Sequence, residues 1–355
     1  MQKISRRRAI RLVAEGCAVA GITGFIPQSA GAATGTSFDI TPYVNPELRG
    51  ALPQLMLRSA AVPTDANLQA FRQGAAAYVQ PPLPAPAWSE KRIPGPPGAP
   101  EVTILIVNGT SSGPHRPIVL YIHGGGYTVG TARSNLRSVQ ELAQAADCVV
   151  ISVEYRLAPE TRFPGSLEDN YAALKWAHAH AQEFGGDPTR IAVMGESAGG
   201  GHAAMLTIAA RDRGEVPIIF QALIYPMLDD RTGSTHHVPP YQGAVGWTAA
   251  HNRYGWSALL GVPAGSPSVP AGAVPARVAN LRGLPPAFIG VGTIDLFVDE
   301  DIEYARRLID HGIAVQLEVV PGAFHGFDKI PGTTIGPRFR DTVYAALNNA
   351  FSSAR

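Results

Sequence analysis

The sequence has few cysteines and little excess charge. Its 355 residues include only Cys17 and Cys148, and Cys17 lies in a segment that we expect to be removed, so a disulfide framework is excluded. Charged residues make up 16% of the chain and the formal net charge is +1. Without a basic stripe, the chain lacks the electrostatic footprint of nucleic-acid binding. We therefore expect a small-molecule partner, and a homodimer is an allowed assembly.

Metal-binding patterns are also missing from the sequence. It contains no H-E-x-x-H motif and no Cys/His cluster at ligand spacing, so neither a metal nor a cofactor is expected. Hydrophobic residues, at 45% of the chain, are sufficient for a buried core. The length fits one enlarged globular domain.

The first 32 residues have the pattern of an export signal. Three arginines, Arg6 to Arg8, follow a serine, and residues 16–38 carry no charged side chain. Small residues at positions 30–32 offer a cleavage site. The pattern resembles a twin-arginine signal, which predicts a periplasmic or secreted protein. The alternatives are a basic amphipathic helix of a cytosolic protein and a membrane span, which the glycines and Pro27 disfavour.

The remaining chain divides into an arm, a core and an insertion. Residues 33–100 are irregular, with two helical patterns and a proline-dense stretch at 81–100, and we expect them to contribute to a cap. Residues 101–355 alternate short β-branched runs with helical patterns, which predicts a mostly parallel central sheet covered by helices on both faces. Residues 229–285 break this alternation and carry Trp247 and Trp256, so we expect a helical cap insertion there.

The strongest motif is Gly-Glu-Ser-Ala-Gly at residues 195–199. It directly follows the predicted strand 191–194 and directly precedes a helical pattern, which is the context of a nucleophilic serine on a strand-to-helix turn. Small neighbours let Ser197 occupy such a sharp turn, and the helix N-terminus places partial positive charge beside it. The alternative is a glycine-rich turn with a solvated serine.

A second motif, His-Gly-Gly-Gly-Tyr at residues 123–127, also follows a predicted strand. Consecutive glycines let backbone N–H groups approach a ligand closely. We predict an oxyanion hole formed by the N–H groups of Gly124, Gly125 and Ala198. A phosphate-binding loop is the rival interpretation, but the lysine that it requires is missing. His123 itself is expected to be structural.

Together the two motifs resemble the hormone-sensitive-lipase-like (bacterial family IV) esterases of the α/β-hydrolase superfamily. The segment Tyr-Arg-Leu-Ala-Pro-Glu at residues 155–160 and the histidine loop around residues 322–327 extend the resemblance over about residues 118–327. It implies the α/β-hydrolase fold, a carboxylesterase or lipase-like activity on small to medium acyl esters, and an acyl-enzyme intermediate.

In this fold the acid and then the histidine follow the nucleophile along the chain. His325 comes just after the predicted strand 315–320, and Asp295 follows the strand before it, so we predict a catalytic triad of Ser197, Asp295 and His325. Asp299 is a competitor for the acid, because the family pattern D-P-L-x-D reads Asp-Leu-Phe-Val-Asp here. We prefer Asp295, since residues 299–301 resemble the acidic first turn of a helix.

Two further residues are candidates for substrate binding. Tyr127 could line an acyl pocket, although aromatic residues in such places are as often core. Glu196, next to the nucleophile, could organise the pocket. Two alternatives to the esterase stay open: an amide-cleaving relative, such as an arylformamidase or peptidase, and a non-catalytic small-molecule receptor on the same fold.

Overall fold

The computed structural model describes residues 38–76, 79–110 and 115–354. The predicted export signal lies outside the described residues. Within them, one eight-stranded sheet has the order β1-β2-β4-β3-β5-β6-β7-β8. Its strands are β1 (Trp88–Ile93), β2 (Val102–Val107), β3 (Arg116–Ile122), β4 (Val149–Glu154), β5 (Gly186–Glu196), β6 (Phe220–Ile224), β7 (Ala287–Gly292) and β8 (Val315–Val320).

The pairing of these strands confirms the predicted α/β-hydrolase fold with its mostly parallel sheet. Strand β2 runs antiparallel to both β1 and β4, whereas β4, β3, β5, β6, β7 and β8 are all mutually parallel. The carboxyl ends of the parallel strands therefore meet at one edge of the sheet. The loops after β3, β5, β7 and β8 carry the two motifs and the predicted acid and histidine, so all four meet at that edge.

Helices cover the sheet on both faces because its strands are apolar on both faces. In β3, Leu120 belongs to one core and its neighbours Val119 and Tyr121 belong to the other. The helices are α1 (Leu52–Ala60), α2 (Leu68–Ala76), α3 (Leu136–Ala145), α4 (Gly165–Ala179), α5 (Ala198–Arg213), α6 (Ala249–Leu260), α7 (Val298–Asp310) and α8 (Ile335–Ser353). Buried residues of α4 and α5 pack into the first core, and those of α3 and α8 into the second.

Strand β1 differs from the sequence prediction, which has a proline-dense link at residues 81–100. Its central residues are polar and exposed, and among the described strands it pairs only with β2. An exposed edge strand lacks the apolar pattern that identifies the inner strands of this sheet. The prediction of an irregular link is therefore wrong for Trp88–Ile93.

The arm (residues 33–100) and the insertion (residues 229–285) are joined by hydrogen bonds. The hydroxyl of Ser59, in α1, accepts a hydrogen bond from the backbone N–H of Gly246 at 2.9 Å. The hydroxyl of Tyr254, in α6, donates to Asp65 at 3.0 Å. These contacts join α1 and the loop before α2 to residues of the insertion. No helix of the described residues is long and apolar enough to cross a membrane.

Candidate active site

The loop between β5 and α5 forces Ser197 into an unusual backbone conformation. Its φ of 57° and ψ of −123° lie outside the regions that most residues adopt. A Cβ atom on Gly195 would lie 2.1 Å from the carbonyl oxygen of Gly199, and one on Gly199 would lie 2.1 Å from that of Ile122. Both glycines of the predicted motif are therefore required by the close approach of neighbouring backbone.

Three predicted side chains from three different loops meet above this turn. His325 Nε2 lies 2.8 Å from Ser197 Oγ, and His325 Nδ1 lies 2.8 Å from Asp295 Oδ2. The other carboxylate oxygen of Asp295 accepts a hydrogen bond from the N–H of Phe297 at 3.1 Å. Because Asp295 is fully buried and held at both oxygens, its carboxylate fixes the orientation of the imidazole.

The competing acid, Asp299, lies elsewhere. It is exposed in the first turn of α7, where its carboxylate accepts a hydrogen bond from Gln242 at 3.4 Å. The structure thus brings Asp295, and not Asp299, to His325. Residues 299–301 thus form the acidic first turn of a helix, as the sequence analysis expects.

The glycine loop after β3 lies against the serine turn. A Cβ on Gly124 would lie 2.8 Å from the carbonyl oxygen of Glu196 and 3.2 Å from Ser197 Cβ. Gly125 has a φ of +125°, a conformation that favours glycine. Ala198 is the first residue of α5, so its N–H has no partner within the helix. The three predicted oxyanion-hole residues are thus close to the serine.

His123 supports the glycine loop from the core. It is fully buried, its Nδ1 lies 2.8 Å from the carbonyl oxygen of Gly124, and its ring stacks on Tyr155 at 4.2 Å between centroids. Burial lowers the pKa of His123 to about 4, so the ring is neutral at pH 7. These contacts fit the structural role that was expected for this residue.

Both predicted substrate-binding residues have partners within the protein. Tyr127 is only 1% exposed, and its hydroxyl donates to the carbonyl oxygen of Met227 at 3.0 Å, so its ring is part of the core. The Glu196 carboxylate forms an ion pair with Lys329. Tyr127 therefore packs in the core, whereas Glu196 lines a cavity whose lining includes neither Ser197 nor His325. Their role in substrate binding stays a prediction, and the short sequence motifs could not reveal these partners.

Trp247, from the insertion, lies over the glycine loop. A Cβ on Gly126 would lie 2.1 Å from its ring, which is also 6.3 Å from the His325 ring between centroids. Trp256, which the sequence analysis also assigns to the cap insertion, is fully buried in the core. Of the two tryptophans singled out in the insertion, Trp247 is therefore the one beside the site.

The described residues contain no group of three or more His, Cys, Asp or Glu side chains that could hold a metal ion. The site itself brings together a hydroxyl, an imidazole, a carboxylate and backbone N–H groups. A hydroxyl in hydrogen-bond contact with an imidazole that a carboxylate orients is an activated nucleophile.

The chain belongs to the alpha/beta hydrolase fold family, whose model matches residues 119–329. The predicted resemblance to hormone-sensitive-lipase-like esterases is confirmed. Esterase LipI of Mycobacterium tuberculosis is 37% identical over 215 residues, which cover 59% of this chain and 65% of that protein. Ethyl acetate hydrolase of Pseudomonas putida is 36% identical over 225 residues, covering 60% of this chain and 66% of that protein.

A solved structure of similar shape is that of a bacterial heroin esterase. It matches with a TM-score of 0.80 and 37% sequence identity over 87% of this chain and 98% of the other. The match to the curated relatives is shorter, since it spans slightly less than two thirds of the length of the first of them.

Proposed function

We propose that this chain is a serine carboxylester hydrolase that cleaves small to medium acyl esters through an acyl-enzyme intermediate. The observation that carries the proposal is the hydrogen-bonded series of Ser197, His325 and Asp295 beside a glycine loop. Each group has the partner that its role requires, and the series stands at the carboxyl edge of the sheet.

Acylation would begin with attack of Ser197 Oγ on the ester carbonyl carbon. His325 Nε2, 2.8 Å away, accepts the hydroxyl proton, and Asp295 stabilises the imidazolium that forms. The N–H groups of Gly124, Gly125 and Ala198 would bind the negative oxygen of the tetrahedral intermediate, where the loss of one donor typically costs about 3–4 kcal/mol. The imidazolium then returns its proton to the leaving alcohol.

Deacylation would repeat these steps with water as the nucleophile. His325 removes a proton from the water as it attacks the acyl carbon, and the same N–H groups bind the second oxyanion. Protonation of Ser197 Oγ by His325 releases the carboxylic acid. Every proton movement is handled by the imidazole, so no further group is required.

The substrate class rests on the relatives and on Trp247. The relatives' names include an ethyl acetate hydrolase and a heroin esterase, both of which denote small acyl groups. Trp247 lies against Gly126 at the glycine loop and beside His325. We infer that the arm 33–100 contributes, through α1 and the loop before α2, to a cap formed mainly by residues 229–285, and that Trp247 limits the acyl chain there.

The test is hydrolysis of p-nitrophenyl acetate, butyrate, octanoate and palmitate, with p-nitroacetanilide as the amide control. We expect turnover of the shorter esters, little of the palmitate and little of the anilide. The Ser197→Ala variant should lose turnover of every ester. Preferred cleavage of the anilide would favour an amide-cleaving enzyme, and absence of any turnover would favour a receptor.

We also propose that the protein is exported. The support is the arginine cluster at residues 6–8, the uncharged stretch 16–38 and the small residues at 30–32. Replacing Arg6 and Arg7 together by lysine should block a twin-arginine route and leave a general secretory route largely working. Cytosolic enzyme with an intact N-terminus in the native host would contradict export. A homodimer stays a prediction that light scattering can test.

A further inference from the structure

An ion pair joins the serine turn (residues 195–199) to the histidine loop, which runs from the end of β8 to the start of α8 (residues 321–334). Glu196 immediately precedes Ser197, and Lys329 lies four residues after His325, yet the Lys329 ammonium donates a hydrogen bond to Glu196 Oε2. The Glu196 side chain is 9% exposed and that of Lys329 is 49% exposed. The two loops that carry the nucleophile and the base are thus connected by a contact outside the reacting atoms.

A second contact, a hydrogen bond, anchors the histidine loop to the end of β6. The hydroxyl of Tyr225, directly after β6, donates to Asp328 Oδ1 at 2.9 Å. The ring of Tyr225 packs edge-on against His325, with 4.7 Å between centroids. Asp328 is buried, and the guanidinium of Arg340 donates to its backbone carbonyl. The loop therefore has fixed partners on β6 and α8.

These contacts lie behind the reacting groups. Glu196, Asp328 and Lys329 line a cavity of about 690 Å³ whose lining includes neither Ser197 nor His325. Burial, together with the neighbouring Glu196 carboxylate, raises the pKa of Asp328. The Lys329 ammonium pairs with Glu196 and, with Arg340, also attracts the neighbouring Asp328, so its loss would remove a cation that both acidic side chains share.

We propose that the Glu196–Lys329 pair and the Tyr225–Asp328 bond form a positioning network that holds the nucleophile and the base at reacting distance. The proposal rests on the hydrolase function proposed above. None of these four residues would touch substrate or carry a proton. Their effect would pass through the position of His325 Nε2 relative to Ser197 Oγ, where an error of about 1 Å can cost about 10²-fold in rate.

The network predicts that substitutions of its two charged partners, Lys329 and Glu196, differ in how much activity they cost. In Lys329→Met, the Glu196 carboxylate loses its partner and repels Asp328, so the serine turn and the histidine loop should move apart. In Glu196→Gln, the amide keeps the size of the side chain and can still accept a hydrogen bond from the ammonium. The lysine variant should therefore be the more damaged, and Lys329→Arg should restore the pair.

The experiment measures kcat, KM and melting temperature for these variants with p-nitrophenyl acetate. For Lys329→Met we expect kcat to fall about 10- to 100-fold with KM changed by less than about threefold. Adding Glu196→Gln to Lys329→Met removes the repulsion and should recover much of the lost kcat. The matched control is Lys91→Met, since Lys91 pairs with Glu183 at 3.3 Å far from the site; its kcat should not change.

A second measurement separates this proposal from the hydrolase function. Diethyl p-nitrophenyl phosphate labels an activated serine, and intact mass gives the labelling rate without ester turnover. Slower labelling of Ser197 in Lys329→Met, at an unchanged melting temperature, supports the network. Unchanged kcat and labelling in Lys329→Met, or a kcat that fails to recover with Lys329→Arg, would overturn it. If the wild-type serine is not labelled at all, the hydrolase function itself fails.

Discussion

The hydrogen bonds of Asp295 determine what an Asp295→Asn substitution would do. Oδ1 accepts from the N–H of Phe297 and Oδ2 faces His325 Nδ1. An asparagine keeps the first bond only by placing its oxygen at the Oδ1 position, which directs its NH₂ group at the imidazole. Nδ1 must then act as an acceptor, so the proton moves to Nε2 and the ring can no longer accept a proton from Ser197.

The expected loss in kcat is large because the geometry stays intact while the tautomer is wrong. In the serine protease that serves as the template, the same change lowers kcat about 10⁴-fold, which corresponds to about 5.4 kcal/mol of transition-state stabilisation. We expect a loss of that order here, with KM little changed, measured with p-nitrophenyl acetate under steady-state conditions. Burial of Asp295 excludes water as a substitute partner for the imidazole.

The control is Asp299→Asn, in the same loop region. Asp299 is exposed, and its carboxylate bonds only weakly, at 3.4 Å to Gln242, so its variant should keep kcat within about twofold, as surface substitutions usually do. If Asp295→Asn retains more than about a tenth of wild-type kcat, the tautomer argument is refuted. If Asp299→Asn is instead the inactive variant, Asp299 rather than Asp295 is the acid of the triad.

Three further changes have defined outcomes. Trp247→Ala should shift the preferred p-nitrophenyl ester to longer acyl chains at little cost in melting temperature. Trp256→Ala, in the core, should instead lower the free energy of unfolding by about 3–5 kcal/mol in chemical denaturation. Equal effects of the two variants on the preferred chain length would contradict this. Gly124→Ala places a methyl group 2.8 Å from the carbonyl oxygen of Glu196. We expect kcat to fall about 10²-fold because the displaced loop weakens the oxyanion hole. An unchanged kcat would mean that the oxyanion hole lies elsewhere. Asp301 is buried, and burial raises its pKa, with neighbouring carboxylates adding to the effect. The native state therefore holds a proton that the unfolded chain releases above about pH 3.9, so stability falls as pH rises from there toward the raised native pKa. Asp301→Asn should reduce the fall in melting temperature as pH rises above about 4 by on the order of a few degrees; an unchanged slope would contradict the shift.

The sequence predicts the sheet and the meeting of three side chains at its edge because both follow from local patterns and chain order. Runs of β-branched residues mark the inner strands, and their carboxyl ends must meet at one edge, so the loops bearing Ser197, Asp295 and His325 converge. The choice of Asp295 over Asp299 also follows locally, since acidic residues are favoured in the first turn of a helix.

What the sequence does not reveal depends on contacts between distant residues. The Glu196–Lys329 pair joins positions 133 residues apart, and no periodicity or motif encodes which lysine a carboxylate will contact. The burial of Tyr127 depends on packing of its ring against Trp256 and His202, residues of two other elements. These are consequences of tertiary packing, which a motif read on one loop cannot supply.

The most direct test of the central claim is the intact mass of the protein during hydrolysis of p-nitrophenyl acetate. After rapid acid quenching, the wild-type chain should gain one acetyl group, which peptide mapping assigns to Ser197. The Ser197→Ala variant should gain none and should lack turnover. Hydrolysis by the variant, or acetylation of any other residue at the turnover rate, would contradict a serine acyl-enzyme mechanism.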